Sequence, residues 1–247
     1  MAVPAQFIAC NSNPAAAEQE KFMIAYKITR ANRKTTAIYI HEDGSVEVRC
    51  PKHIAARDIE KFVLANRQML EVKTAQMKER AKQKESFSVV PGDTLRFLGK
   101  DYPLLQVNFS KMGFDEKCFY VPADMPADKI KPGVVQIYKS LAEKLLKSKT
   151  EKYSKIMKLA PVNVKVNSAK TRWGSCSGKN SINYSWRLVL ADEPCVDYVV
   201  IHELAHTAEH NHSKKFWAIV EKNMPDYKTQ DKKLKELQKK LAAENWD

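Results

Sequence analysis

The chain has 247 residues, of which 44% are hydrophobic, and it carries a formal net charge of +13. This composition predicts a globular protein with one large domain or two small ones, and excludes a fibrous or fully disordered chain. No segment approaches the ~20 apolar residues of a membrane span, so no membrane partner is predicted. The five cysteines are scattered without a C-x-x-C pair, which indicates a reduced compartment rather than a disulfide scaffold. Residues 1–20 lack the features of a signal peptide, so a disordered tail and a cytoplasmic protein are predicted.

Residues 21–130 are predicted to form a β-rich part that contains one long helix. Apolar residues alternate from 22 to 50 around an Asp43-Gly44 turn, which predicts a small antiparallel sheet. Residues 54–84 have helical spacing, and short strands return between 86 and 121.

Residues 131–247 are predicted to form a second part, because prolines mark a linker near residue 130. The apolar spacing predicts a long helix over residues 134–158. Three short strands are then predicted, at 162–166, 172–175 and 182–186. The alternation of strands and helices predicts an α+β fold in which small antiparallel sheets accompany long helices.

His202, Glu203 and His206 form the pattern H-E-x-x-H. Two histidines four residues apart on a helix face the same side, with Cβ atoms ~5–6 Å apart, so they can hold one metal ion. Glu203 is offset around the helix, where it can reach a metal-bound water rather than the metal. The segment 196–201 before the motif is apolar nearly all round, which predicts a buried helix, and buried polar side chains are costly without partners. The motif therefore predicts a zinc hydrolase site.

A catalytic zinc site needs a third protein ligand. His210 continues the stripe, but two helical turns would place it ~12 Å along the axis from His202, too far to share one ion. His212 has the spacing of the third ligand in the metzincin pattern H-E-x-x-H-x-x-G-x-x-H, although Glu209 replaces the glycine. A left-handed Asn211 would turn the chain toward the metal. His212 is therefore the preferred third ligand.

An acid from a second helix could instead complete the site, as in thermolysin-like enzymes, and Glu221 and Asp226 follow at a suitable remove. These two residues stay open as alternatives to His212. Whether His212, Glu221 or Asp226 is the third ligand, Zn²⁺ keeps an open position for water. Glu203 would accept the proton of that water as general base. The prediction is a zinc metallopeptidase that hydrolyses peptide or protein substrates.

Extended substrates of zinc proteases commonly pair with the strand that precedes the metal-binding helix. The segments 173–175 and 183–185 are the two candidates for that edge.

Three segments together carry a resemblance to a known family: RWGSCS, NSINYSWRLVLA and DYVVIHELAHTAEHNHSKKFW. They resemble the YgjP-like metallopeptidases, relatives of the SprT-like and WLM proteases, most densely over residues 150–230. The resemblance implies a zincin-like catalytic part over residues 131–247, with the H-E-x-x-H helix packed on a short sheet. It also implies that His202, His206 and His212 bind zinc and that Glu203 is the catalytic acid/base.

Two other classes of function remain as alternatives. The net charge of +13 suits a nucleic-acid-associated protein, and SprT-like relatives act on proteins attached to DNA. However, the chain carries no recognised nucleic-acid motif, and lysine-rich faces are more often simply solvated. The other alternative is a non-catalytic metal-binding module, against which Glu203 argues, because a structural site needs no water-activating glutamate.

Overall fold

The computed structural model describes residues 24–246, so the tail predicted for residues 1–20 lies outside the described part of the chain. Within residues 24–246 the protein has ten strands, six α-helices and one short 3₁₀ helix, which confirms the α+β class. None of the helices in this range is both long and apolar enough to cross a bilayer. The chain divides into two compact units, the first ending at Gln83 and the second beginning at Lys84.

This division lies earlier than the boundary that the prolines indicate near residue 130. The strands between the two positions belong to the core of the second unit, because Leu104, Phe119 and Val121 are buried in one cluster with Ile130 and Val134 of the following helix. The prolines of this region therefore lie inside one unit rather than in a linker between units.

The first unit holds one sheet of three strands, one complete helix and most of a second helix. The strands are β1 (Tyr26–Ala31), β2 (Ala37–Ile40) and β3 (Val46–Pro51), in the order β1-β3-β2. The pair β2 and β3 is antiparallel, whereas β1 and β3 are parallel, so the predicted antiparallel sheet is corrected to a mixed one. The reason is that β3 inserts between β1 and β2, and β1 and β3 are two chain reversals apart.

The long helix predicted over 54–84 is two helices, α1 (Ala56–Ala65) and α2 (Arg67–Ser86). Asn66 separates the two helices. Its side-chain Nδ2 donates to the carbonyl of Phe62 at 2.8 Å, and such a side-chain bond competes with the regular hydrogen bonds of a helix. Ile59 and Val63 of α1 and Leu70 of α2 are buried against β3.

The second unit begins with a four-stranded sheet and a long helix. The strands are β4 (Thr94–Phe97), β5 (Lys100–Val107), β6 (Gly113–Phe114) and β7 (Phe119–Pro122), in the order β4-β5-β7-β6 with β5 and β7 parallel. Helix α3 (Ala127–Met157) starts before the predicted residue 134, and Pro132 lies inside it. Gly133 is buried there, and a Cβ built on it would lie 2.9 Å from Sδ of Met112, so this glycine allows close packing rather than a turn.

The remaining elements carry the candidate site. A second sheet has the strands β8 (Asn163–Asn167), β9 (Gly174–Cys176) and β10 (Ser181–Ser185) in the order β8-β10-β9, with β8 and β10 parallel. A 3₁₀ helix (Trp186–Leu190) leads to α4 (Glu193–Ala205), α5 (Lys214–Asn223) and α6 (Tyr227–Leu241).

Helix α4 is the central element of the second unit, because it packs against α3, α5, α6 and β9. Its apolar residues are buried nearly all round, as predicted for the helix that carries the motif. A buried lysine fastens it to α3: Nζ of Lys149 donates to Glu193 Oε1 at 2.8 Å and to Asp197 Oδ1 at 2.6 Å. The helix is thus held on several sides, which makes it a rigid support for its last residues.

Candidate active site

The first two histidines of the site stand at the end of α4. His202 lies in the last turn, and His206 is the C-cap residue directly after Ala205. The chain then turns, with the amide of Glu209 donating to the carbonyl of Ala205 at 3.0 Å. Helix α5 begins immediately after Ser213, whose side chain accepts from the amide of Phe216. His212 therefore stands between the end of one helix and the capped start of the next.

Asn211 does not have the left-handed conformation that the sequence analysis expects. The described residues with positive φ lie elsewhere in the chain, and Asn211 is not among them. Helix α4 ends several residues earlier than that expectation requires, at Ala205, and an ordinary turn brings His212 back toward the helix end. The missing glycine of the metzincin pattern is therefore not needed.

The structure brings the three predicted histidines together. His202, His206 and His212 each offer one nitrogen atom, and the three atoms lie within 4.8 Å of one another. Nε2 of His202 and Nε2 of His212 are 3.2 Å apart. Two nitrogens that share a tetrahedral zinc at ~2.0–2.1 Å are themselves ~3.4 Å apart. The spacing therefore fits a single metal ion.

Aromatic side chains from α5 support this cluster. The ring of Phe216 packs against His206 with centroids 4.4 Å apart, and the ring of Trp217 stacks on His212 at 5.6 Å. Nδ1 of His206 lies 3.1 Å from the carbonyl oxygen of Glu209. A carbonyl can only accept, so Nδ1 carries the proton and Nε2 is left with the lone pair that a metal needs.

His202 and His206 are held in the neutral form that binds metals. Burial, followed by the neighbouring His206 and His212, lowers the pKa of His202 to about 3. Burial also lowers the pKa of His206. Metal ligation requires unprotonated imidazole, so at neutral pH no proton has to be displaced from either ring. The donor set and its spacing both fit a bound transition-metal ion.

Glu203 lies in a buried position against strand β9. Its side chain is 5% exposed, and its Oε2 atom is buried without a hydrogen-bond partner among the described residues. The carboxyl group packs against the α-carbon of Gly174, since a Cβ built on that glycine would lie 2.5 Å from Oε1 of Glu203. Burial raises the pKa of Glu203 to about 8, and the charge of Arg172 opposes that rise. A carboxyl group with this pKa can exchange a proton near neutral pH, which suits a general base.

Strand β9 is an edge strand, whereas β10 lies between β8 and β9. Of the two candidates for a substrate-binding edge, only the segment that contains Gly174 and Ser175 therefore has a side that pairs with no strand of residues 24–246. Trp173 and Gly174 also line a cavity of about 510 Å³ together with His202 and Glu203. Trp186, the other tryptophan of this region, is a core residue whose ring stacks on Tyr138 at 5.5 Å.

The alternative ligands lie outside the histidine cluster. Among the described residues, the group that could hold a metal at this place contains no acid. His210 and Glu221 are exposed, and Oδ2 of Asp226 accepts from Nε2 of Gln230 at 2.6 Å near the start of α6. The structure thus favours His212 over Glu221 and Asp226 by position, and the roles of the three histidines stay predictions.

Two contacts of the Glu203 carboxyl group do not follow from the sequence, although residues 173–175 are a candidate substrate-binding edge. Gly174 gives the Glu203 carboxyl its space, and Arg172 lines the same cavity and acts on the Glu203 charge. The signal for Gly174 is its place in a strand, since an isolated glycine in a strand often marks a close approach of another group. No pattern in the sequence indicates that Arg172 faces the cavity.

Three converging imidazoles beside a buried carboxyl group define the kind of site that metal-dependent hydrolases use. The chain belongs to the YgjP-like metallopeptidase family, whose domain model ("YgjP-like, metallopeptidase domain") matches residues 34–237. The family implies a bound metal ion, and the histidine cluster offers the ligands for one.

Comparison with curated proteins gives no match. Two solved structures are similar to part of the chain. The metallopeptidase zymogen of Pyrococcus abyssi abylysin is 26% identical, covers 40% of this chain and 97% of its own, and has a TM-score of 0.35. The zymogen of Methanocaldococcus jannaschii jannalysin is 22% identical, covers 38% and 95%, and has a TM-score of 0.33. With scores this low, neither likeness carries a conclusion about the chain.

Proposed function

We propose that this protein is a zinc-dependent metallopeptidase that hydrolyses peptide bonds with metal-activated water and with Glu203 as general base. The supporting observation is the convergence of three imidazole nitrogens within 4.8 Å, next to a buried glutamate. In this proposal His202, His206 and His212 hold the zinc ion. A donor set of three histidines is one that catalytic zinc sites use.

When bound, zinc supplies the Lewis acidity that activates water and polarises a carbonyl group. The role of the chain is to position the substrate and to move protons. Glu203 accepts the proton of the attacking water on a carboxylate oxygen and passes it to the leaving nitrogen. The position of its buried carboxyl group beside the cavity supports this role.

The substrate main chain has an edge on which to lie. Strand β9 hydrogen-bonds to β10 on one side only, and Gly174 and Trp173 face the cavity that contains Glu203. An extended peptide that pairs with β9 would have its scissile bond held close to the carboxyl group.

The test compares the wild-type protein with Glu203→Gln. The variant keeps the shape of the side chain but cannot accept a proton, so we expect stoichiometric zinc and a loss of turnover of at least about 100-fold. Glu221→Gln is the matched control, because it makes the same change at an exposed position of α5 and should retain both zinc and turnover. Cleavage of unfolded protein and peptide mixtures is followed by mass spectrometry, and zinc by elemental analysis.

Two outcomes would contradict the proposal. A Glu203→Gln variant that cleaves as fast as wild type removes Glu203 from the mechanism. A wild-type protein that holds zinc but cleaves no peptide in the mixture favours the alternative of a non-catalytic metal-binding module.

A further inference from the structure

The cavity beside Glu203 has apolar walls that come from three elements. Trp173 stands just before β9, Tyr198 and Val199 come from α4, and Leu234 comes from α6. The cavity measures about 510 Å³ and shares His202 and Glu203 with the candidate metal site. A substrate group that enters it therefore lies next to the bond under attack. The volume and the walls suit one amino-acid side chain or the end of a peptide.

The charged residues around this cavity are predominantly basic. Apart from Glu203, it is lined by Arg172, Lys235 and Lys239 against the single acid Asp231. Nζ of Lys235 donates to Oδ2 of Asp231 at 2.6 Å, so this pair is neutral as a unit. Arg172 and Lys239 make no hydrogen bond or ion pair with any other residue between 24 and 246. Two exposed cations thus line the cavity without a hydrogen-bonded partner among residues 24–246, and Arg172 also acts on the charge of Glu203.

We propose that this cavity selects substrates that carry a carboxylate beside the scissile bond, with Arg172 and Lys239 as the residues that recognise it. The inference rests on the proposed peptidase function and names the substrate class of that same site. The carboxylate can belong to a glutamate or aspartate side chain or to the carboxyl terminus of a peptide. In each case the apolar part of the substrate group lies along the apolar walls, and its carboxylate contacts Arg172 and Lys239.

The chemistry of the two cations supports this selection. An arginine guanidinium presents a planar fork of donors that matches a carboxylate with two parallel hydrogen bonds. A basic substrate side chain would instead meet like charges at Arg172 and Lys239, and a neutral one would leave both cations without a partner. The cavity therefore discriminates by attraction as well as by repulsion.

The experiment measures kcat/KM for matched peptides that differ at one position flanking the cleaved bond. One set carries Glu, Gln or Leu at an internal position, and a second set has either a free or an amidated carboxyl terminus. The enzymes are the zinc-loaded wild type, Arg172→Gln, Lys239→Gln and the control Lys240→Gln. Lys240 is the next residue on α6, and it lines another cavity, of about 530 Å³, instead of this one.

For the wild type we expect Glu to be preferred over Gln, or free over amidated termini, by about ten-fold or more, which corresponds to one charge-assisted hydrogen bond. The ratio of kcat/KM for the charged peptide to that for the neutral peptide should fall toward one in Arg172→Gln and decrease in Lys239→Gln. It should stay at the wild-type value in Lys240→Gln. The set that shows the preference, internal or terminal, identifies the source of the carboxylate.

Three results would overturn the inference. The first is that the wild type cleaves the charged and the neutral peptides equally. The second is that the preference survives in both Arg172→Gln and Lys239→Gln. The third is that Arg172→Gln slows the cleavage of all peptides by the same factor, because the arginine would then act only through the charge of Glu203. Absence of cleavage of every peptide contradicts the proposed function instead, so the two failures are distinguishable.

Discussion

The carboxyl group of Glu203 packs directly against the α-carbon of Gly174, the first residue of β9. A larger residue at position 174 would displace the Glu203 side chain, since a Cβ there would lie 2.5 Å from Oε1 and 2.7 Å from Cγ of Glu203. Both atoms belong to a side chain that is buried. The glycine thus sets the position of the glutamate relative to the candidate metal site.

Gly174→Ala should therefore impair catalysis without impairing metal binding. The added methyl group pushes the carboxyl group away from its place, and a displacement of about 1 Å can reduce kcat by roughly 100-fold. The histidines are not touched by the change, so the zinc content should equal that of the wild type. Steady-state kinetics and elemental analysis of the same preparation measure both properties.

Gly178→Ala is the matched control for this prediction. A Cβ built on Gly178 meets no atom within 4 Å, so its alanine variant should behave as the wild type. If Gly174→Ala keeps full activity, or if it loses zinc as well, the role that we assign to Gly174 is incorrect.

The third metal ligand can be identified by zinc retention. His212→Ala should lower the zinc affinity by more than about 100-fold, since loss of a direct ligand costs more than loss of an outer hydrogen-bond partner. His210→Ala, Glu221→Gln and Asp226→Asn should retain the metal, because the histidine cluster does not include these side chains. Elemental analysis after dialysis against a weak chelator separates the four variants. Zinc that survives in His212→Ala but is lost in Glu221→Gln or Asp226→Asn would move the ligand to that acid.

Lys149 should contribute more to stability than an ordinary surface lysine. Its side chain is buried and bonds to both Glu193 and Asp197. Lys149→Ala therefore removes the lysine partner of Asp197, whose carboxylate is largely buried. We expect a loss of about 3 kcal/mol in the free energy of unfolding, at the low end of the range for a broken buried pair. Lys147→Ala removes an exposed pair with Glu143 on the same helix and should cost at most about 1 kcal/mol. Urea denaturation of the two variants tests this, and equal losses would contradict it.

Glu47 should make the first unit sensitive to acid. Hydrogen bonds from Arg49 and then from Thr29 lower the pKa of Glu47 from 4.5 to about 2. A folded-state pKa below the unfolded value stabilises the protein fully above pH 4.5, and this stabilisation is lost as the pH falls toward 2. The difference in melting temperature between wild type and Glu47→Gln should therefore shrink as the pH falls from about 5 toward 2. A difference that stays constant down to pH 2 would show that the carboxylate charge does not matter.

The metal-binding end of the site was predictable because its residues are close in sequence. The spacing of His202 and His206 on a helix and the position of His212 shortly after it are local properties, and the structure brings the three together. The N-cap at Ser213, whose side chain accepts from the amide of Phe216, is a local feature of the same kind.

The rest of the site depends on contacts between segments that are distant in the chain. The closeness of Gly174 to Glu203 and the position of Lys239 beside the same cavity follow from how β9 and α6 pack on α4. The same limit explains the strand order, since a pattern of alternating residues identifies β1 and β3 but not their parallel pairing. Pro132 inside α3 is a further case, because burial of the helix start outweighs the local preference of proline for a linker.

His202 and His212 are ten positions apart in the chain, whereas Glu203 depends on a glycine from a different secondary-structure element. In the proposed site the metal ligands therefore come from one short segment, whereas the position of Glu203 depends on the tertiary structure. A substitution that displaces β9 but leaves the turn after α4 unchanged is expected to retain the ion and to lose catalysis. Metal binding and catalysis can thus be separated by one substitution, such as Gly174→Ala, at a position distant in sequence from the three histidines.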